Sequence, residues 1–167
     1  WINDEENFHH SQMLDHEGNM WVGGRMSPKS MYVKSYSHVK DFADDSIIKI
    51  NQDGKILLNK SVTEILIENN LIDQSIFEIH SADPIHLNDI EPALSDTMYW
   101  EKGDVFLSVR YLSAIIHYRP SSNKVINYIT GPFSMPHDVD IISKKEISIF
   151  NNNNSFINDE YSNILIY

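Results

Sequence analysis

The sequence predicts an all-β protein: a β-propeller fragment of about three four-stranded blades. Short segments rich in β-branched and aromatic residues alternate with turn residues along most of the chain. These segments recur in the same order three times, and each series begins at a polar residue. Since strands joined in succession by hairpins form the blade of a propeller, each series is interpreted as one blade.

The strand and helix signals are local in origin. Glycine, asparagine, aspartate and serine separate the predicted strands, as at Gly18-Asn19 and Asp53-Gly54. Only Val62–Leu71 has clear helical spacing of apolar residues, which predicts a helical insertion at about residues 62–72. Eight segments have strand composition: Met20–Val22, Ser46–Ile50, Lys55–Leu58, Val105–Val109, Ala114–Tyr118, Lys124–Tyr128, Ile147–Phe150 and Asn163–Tyr167.

The polar residues that bound the strands repeat with regular spacing. His10 and Arg25 are 15 residues apart, as are His137 and Asn152, while Asn88 and Arg110 are 22 apart. The longer interval corresponds to the same spacing with seven residues inserted within 91–102. We expect one partial propeller domain over residues 1–167, with blade units at about 8–61, 83–131 and 135–167.

Three blades do not close a propeller, which needs about 4–8 of them. The predicted partner of this segment is therefore the remaining blades of the same chain. The alternative fold is an ordinary β-sandwich in which the similarity between the three series is accidental.

The composition of the chain excludes several classes of partner and of chemistry. Apolar residues make up 41 % of the 167 residues, which is typical of a globular chain. The net charge of −11 argues against nucleic acid and anionic membranes as partners. No stretch approaches the roughly 18 apolar residues of a membrane span, and Trp1–Glu6 has no signal-peptide character. The absence of cysteine excludes disulfides and thiolate chemistry.

The start of the first strand of a blade lies beside the central channel, so polar residues at these starts are expected to converge. Imidazoles, a guanidinium and a carboxamide around one axis suit a tetrahedral oxyanion. The candidate residues are His10, Asn88 and His137 at the strand starts, His9 and His86 just before them, and Arg25 and Arg110 at the ends of second strands.

Other interpretations of these residues remain open. Three histidines at one axis are also a pattern for zinc or iron. An arginine in the same shell and the lack of a His-x-x-x-His element argue against a metal, so none is expected. The alternative function is a propeller that binds an anion or a sugar and does not catalyse a reaction. The remaining histidines are expected to be structural: His16, His38, His80 and His117.

Two motifs carry a resemblance to a known family. Asp83–Ile90 is followed by Asp104–Ile116, and Gly131–Val139 is followed by Ile147–Asn152. Together they resemble the bacterial arylsulfotransferases over most of residues 8–152. The chain departs from the family pattern at Pro136, where family members often carry glutamine.

The resemblance implies a six-bladed propeller, exported to the periplasm, that moves a sulfuryl group from an aryl sulfate to a phenol without a cofactor. It implies that His137 is a nucleophile that becomes sulfated. His86, Asn88 and Arg110 would hold the sulfate oxygens. His10, or alternatively His9, would assist the phenol, and Arg25 is a further substrate-binding candidate.

Overall fold

The computed structural model describes residues 6–36, 41–78, 82–152 and 161–167. Within these ranges the chain forms eleven strands and two short α-helices, with 3₁₀ turns at Gln74–Glu78 and Pro120–Ser122. The helices are α1, Met31–Tyr36, and α2, Val62–Glu68. The strands are β1 Asn7–Leu14, β2 Met20–Arg25, β3 Asp45–Ile50, β4 Ile56–Ser61, β5 Leu87–Pro92, β6 Val105–Val109, β7 Ala114–Arg119, β8 Lys124–Ile129, β9 Pro136–Ile141, β10 Ile147–Asn151 and β11 Asn163–Ile166.

The strands form three antiparallel sheets, each made of strands that follow one another in sequence. The first sheet contains β1–β4, the second β5–β8 and the third β9–β11. This arrangement is all-β and consistent with a propeller-like fragment, as the sequence predicts. The predicted four strands are present in two sheets, whereas the third has three in the described part of the chain.

Apolar side chains hold successive sheets against each other. Between the first and second sheets, Trp21 and Ile47 are buried with Leu107, Ile116 and Ile65 of α2. Burial of each such side chain contributes roughly 1.5–3 kcal/mol relative to exposure. In the same stack, the first strands β1, β5 and β9 lie side by side, β1 against β5 and β5 against β9.

A second core joins the second and third sheets. Trp100 and Phe106 pack edge to face, with ring centroids 5.6 Å apart. Val139 and Ile149 of the third sheet are buried in the same cluster. Because both cores lie between sheets, the polar starts of β1, β5 and β9 are left at one shared end of the stack. Neither helix in the described ranges has the length and hydrophobicity to cross a membrane.

Each of these three strands is interrupted by a bulge near its start. The residues without a ladder partner are His10 and Ser11 in β1, Asn88 in β5 and His137 in β9. A bulge bends its strand and redirects a side chain, and such bulges are common beside functional sites. The three polar positions identified from sequence spacing thus share one structural feature.

Candidate functional site

Four histidines form a cluster at the bulged ends of the three strands. The ring centroids of His10 and His86 are 5.7 Å apart, and those of His10 and His137 are 5.9 Å apart. The Nδ1 atoms of His9 and His10 are separated by 2.8 Å. His10 therefore contacts the other three rings, one from its own strand and two from the neighbouring blade units.

The backbone at this cluster adopts an uncommon conformation. His10 and His86 have positive φ angles of 62° and 55°, and Met135, two residues before His137, has one of 51°. Residues other than glycine seldom occupy this region, and they concentrate at functional sites when they do. The fold therefore holds the histidines in place at some conformational cost.

Asp83 fixes the orientation of His86. One carboxylate oxygen, Oδ2, lies 2.6 Å from His86 Nδ1, and the other accepts the His86 backbone N–H at 3.2 Å. Both contacts form within a four-residue turn, Asp83–His86, that leads into β5. Since Nδ1 is occupied by the carboxylate, Nε2 is the ring nitrogen left for a ligand.

Arg110 belongs to the same site through the turn that follows β6. Its backbone N–H donates to the carbonyl of His86 at 3.0 Å. Its guanidinium carbon lies 5.3 Å from the ring centroid of Tyr111, which lies 5.1 Å from that of His86. Among the described residues no carboxylate oxygen lies within 4 Å of this guanidinium, and its buried Nε has no hydrogen-bond partner. Arg110 is thus a cation available to a bound anion.

Arg25, in contrast, already contacts two carboxylates. Its Nε lies 3.8 Å from Asp45 and its Nη2 lies 3.6 Å from Asp83. The guanidinium bridges the two acidic side chains, so much of its charge is balanced within the protein.

The register explains why the two arginines differ. In the first sheet His9 pairs with Gly23, and in the second Leu87 pairs with Val109. Arg110 therefore lies just beyond the last paired residue of β6, while Arg25 is still paired within β2, with Asn7. Arg25 is also directly opposite Asp45 of β3 in the register, and this pairing brings its guanidinium close to that carboxylate.

Asn88 contacts the chain that carries His137. Its side-chain Nδ2 donates to the carbonyl of Pro136 at 3.0 Å, and the residue is only 2 % exposed. The carbonyl acceptor sets the orientation of the amide, and Oδ1 is left buried without a hydrogen-bond partner. Asn88 thereby ties β5 to the start of β9, directly before the bulged histidine.

His10 is kept neutral by its surroundings. Partial burial, and then the neighbouring charges of His9, His86 and His137, lower the pKa of His10, while Asp45 acts in the opposite direction. Since histidine has an ordinary pKa of about 6.5, a lowered value leaves His10 unprotonated at neutral pH. In this state the ring can accept a proton from a bound hydroxyl group.

The sequence as a whole matches the model of one family, described as Arylsulfotransferase (ASST), over residues 2–165. The chain belongs to the arylsulfotransferase family. A search among curated proteins found no match. The family makes the chain a transferase of the aryl sulfotransfer type, whose substrates are aryl sulfates and phenols. A sulfate ester presents a tetrahedral anionic group of the kind that the free cation of Arg110 can bind.

Three site residues of this arylsulfotransferase family chain have no assigned role in the sequence prediction. Asp83 orients His86, Asp45 lies 3.5 Å from His9, and Tyr111 lies between His86 and Arg110. The Asp83-Pro84-Ile85-His86 spacing is a local signal for one of these contacts. Asp45 has no such signal, because only folding brings it to the cluster.

Other histidines lie outside the cluster. His117 is buried, stacks on Phe106 and lies 2.8 Å from Asp104, which gives it the expected structural environment. His16 is exposed, and His38 and His80 lie outside the described residues. Within the described ranges no group of three His, Asp or Glu side chains has metal-binding geometry.

Two buried carboxylates, Asp89 and Glu91, lie on β5 beyond the histidine cluster. Asp89 accepts hydrogen bonds from Ser11 of β1 and from the backbone N–H of Val139 in β9, so it links three blade units. Burial raises the pKa of Asp89 to about 6. Burial, reinforced by Asp140, raises the pKa of Glu91 to about 7, although the Ile141 N–H acts in the opposite direction.

Glu91 should make stability depend on pH. Its pKa rises from 4.5 to about 7 on folding, so the folded chain keeps a proton that the unfolded chain releases. The stabilisation of the folded state by this proton is complete below the pKa of Glu91 in the unfolded chain. It is lost as the pH rises through the pKa of Glu91 in the folded chain. We expect Glu91→Gln to raise the free energy of unfolding at about pH 8 by on the order of 2 kcal/mol, and far less at about pH 5.

Urea unfolding at the two pH values measures this effect. Asp53→Asn, at an exposed turn position, is the control. A Glu91→Gln protein with the pH dependence of the wild type would show that Glu91 ionises in the folded state as it does in the unfolded chain.

Proposed function

We propose that this protein transfers a sulfuryl group from an aryl sulfate to a phenol through a sulfohistidine formed on His137, with no cofactor. The supporting observation is that the His137 ring lies beside a neutral His10, in a cluster joined to the unpaired guanidinium of Arg110. We further propose that it does so as part of a closed six-bladed propeller in the periplasm, by analogy with its family.

In the first half-reaction an unprotonated ring nitrogen of His137 attacks the sulfur. The N–S bond forms as the S–O bond to the aryl group breaks, and the electron pair leaves on the aryl oxygen. Arg110 and the Nε2 side of the His86 ring bind the sulfate oxygens. Sulfuryl transfer, like phosphoryl transfer, is expected to depend on positioning and charge stabilisation, so these donors supply most of the rate enhancement.

In the second half-reaction the oxygen of the acceptor phenol attacks the sulfur of sulfohistidine. The N–S bond breaks, its electron pair returns to His137, and the phenolic proton passes to His10. Asn88 holds the backbone before His137 through the carbonyl of Pro136. Two half-reactions at one nucleophile predict ping-pong kinetics.

The experiment is to trap the intermediate. The protein is mixed with p-nitrophenyl sulfate alone and digested under alkaline conditions, which preserve an acid-labile N-sulfate, and the peptides are identified by mass spectrometry. We expect a sulfated peptide that contains His137 and that disappears when phenol is added before digestion. His16 provides the internal control, because it is exposed and outside the cluster.

The alternative is a non-catalytic propeller that holds an anion or a sugar at the same cluster. Binding of inorganic sulfate or a sugar with no release of p-nitrophenol and no modified peptide would favour it. Modification of a different histidine would instead retain the reaction class and overturn the assignment of the nucleophile.

A further inference from the structure

A line of polar side chains runs from Asp45 through His9 to His10. Asp45, at the start of β3, is 2 % exposed, and its Oδ2 accepts the backbone N–H of Leu87 at 2.7 Å. Its other oxygen, Oδ1, lies 3.5 Å from His9 Nε2. Both of these atoms are buried without a hydrogen-bond partner in the described part of the chain. On the far side of the ring, His9 Nδ1 lies 2.8 Å from His10 Nδ1.

The line opens into a cavity of about 410 Å³. The same cavity is lined by His10, His86 and Arg25 together with His9, Asp45 and Asp83. It is large enough for several water molecules or part of a small ligand, since one water occupies about 30 Å³ of liquid. His9 and His10 both line it, and His10 also contacts His137, which is not among the lining residues.

The contacts select one arrangement of protons. Two Nδ1 atoms at 2.8 Å need one donor and one acceptor. A proton on His9 Nε2 faces the buried carboxylate oxygen at 3.5 Å and is attracted to it, whereas an unprotonated Nε2 would direct a lone pair at a negative charge. His9 Nδ1 is then the acceptor and His10 Nδ1 the donor. It follows that the proton of neutral His10 is on Nδ1 and that its Nε2 carries a free lone pair.

We propose that Asp45, acting through His9, holds His10 in the tautomer whose Nε2 accepts the proton of the acceptor phenol. Asp45 and His9 are positioning residues, and His10 is the base. The inference rests on the proposed function for its substrate. It also makes a statement about the tautomer of His10 that does not depend on activity.

The charges around His10 agree with this assignment. His9 precedes it on β1, His86 faces it from the turn before β5, and His137 faces it from β9. Asp45 acts on it from β3, and Arg25, the nearest cation on β2, is held by carboxylates. Burial, and then the neighbouring imidazoles, lower the pKa of His10, so the ring is neutral at neutral pH and its tautomer decides which nitrogen is basic.

Asp45→Asn is the informative substitution, since it reverses the donor and acceptor roles along Asp45, His9 and His10 without changing the volume of the side chain. The backbone N–H of Leu87 needs an acceptor and therefore takes the amide oxygen, which turns the amide NH₂ towards His9. His9 Nε2 must then accept, His9 Nδ1 donates to His10 Nδ1, and the proton of His10 moves to Nε2. The base is lost although all the rings remain in place, as happens when the carboxylate that orients a catalytic histidine is replaced by an amide.

The first measurement is the tautomer itself. Two-bond ¹H–¹⁵N spectra of the ¹⁵N-histidine-labelled protein, assigned with a His10→Gln variant, distinguish a protonated Nδ1 from a protonated Nε2. We expect Nδ1–H in the wild type and Nε2–H in Asp45→Asn. The matched control is Asp104→Asn, which alters the buried carboxylate–histidine pair of Asp104 and His117 far from the cluster. The same tautomer of His10 in the wild type and Asp45→Asn would overturn the proposal.

The second measurement is the discharge of the sulfated protein to acceptors of different acidity. In Asp45→Asn and His9→Leu we expect discharge to phenol to slow by about 10²-fold, with a much smaller loss for nitrophenols, which are largely ionised and need no base. An equal loss for all acceptors would indicate a structural role and overturn the proposal. Absence of any sulfated protein in the wild type would instead defeat the proposed function, and the spectra would still decide the tautomer.

Discussion

Replacement of His137 by alanine is expected to lower sulfuryl transfer from p-nitrophenyl sulfate to phenol by a factor on the order of 10⁴ or more, as for other covalent nucleophiles. No other side chain of the protein forms a covalent bond to sulfur in the proposed reaction, so the loss appears in kcat and in kcat/KM alike. The side chain is exposed and stands on a bulge outside both apolar cores. The fold should therefore be retained, which circular dichroism and urea unfolding can verify.

A smaller substitution tests whether the lost group is a nucleophile or only a binding group. In His137→Gly, added imidazole can occupy the vacant position, attack the sulfur and leave as N-sulfoimidazole while p-nitrophenolate is released. We expect imidazole to restore nitrophenol release in His137→Gly and not in His86→Gly. His16→Ala is the control for a surface histidine. Transfer by His137→Ala at the wild-type rate would exclude the sulfohistidine mechanism.

Much of the fold is predictable because its signals are local. Short apolar segments and glycine or asparagine turns define the strands, and the segment Ala114–Tyr118 corresponds to strand β7, Ala114–Arg119. The first strands are predicted from a different signal, the recurrence of polar residues at intervals of 15, 22 and 15 residues. That signal identified His10, Asn88 and His137, which the structure shows at the three bulges.

Helix α1, Met31–Tyr36, is not predicted by the sequence. Its six residues are too few for a helix that is stable in isolation and include the β-branched Val33, although Ser30 accepts the backbone N–H of Val33 as a cap. Val33 is nevertheless buried in the core between the first two sheets. Tertiary packing therefore supplies the stability that the segment lacks by itself, as it does for most short helices.

The site is predictable in its residue types but not in its connections. Histidines and an arginine at strand ends are visible in the sequence, whereas the contact between His9 and Asp45 joins residues from different strands. Arg25 shows the limit of spacing arguments. The positions of both arginines at the ends of second strands suggest that it is equivalent to Arg110, but Arg25 lies within β2 directly opposite Asp45 of β3, whereas Arg110 lies in the turn after β6.

Substitution of Arg110 should remove stabilisation of the charge on the sulfate oxygens while leaving the nucleophile His137, which forms the bond to sulfur, in place. We expect Arg110→Gln to lower kcat by about 10²–10³-fold, the usual cost of removing one donor that stabilises charge in a transition state. Arg110→Lys should lose less, because it keeps the charge but not the planar fork of donors that fits a sulfate group. Single-turnover release of p-nitrophenol measures the effect on the chemical step directly.

Two further measurements identify the cause of that loss. Inorganic sulfate should inhibit the wild type competitively with the aryl sulfate and should inhibit Arg110→Gln much less, because its main cationic partner is gone. Arg119→Gln is the matched control, since that guanidinium is bonded to Asp104 and Glu101 outside the cluster. Among the described residues, Arg110 is the only arginine that has a buried Nε without a hydrogen-bond partner and no carboxylate within 4 Å. It also lies beside His86. If Arg110→Gln and Arg119→Gln lowered kcat equally, the guanidinium of Arg110 would stabilise the fold and not the transferring group.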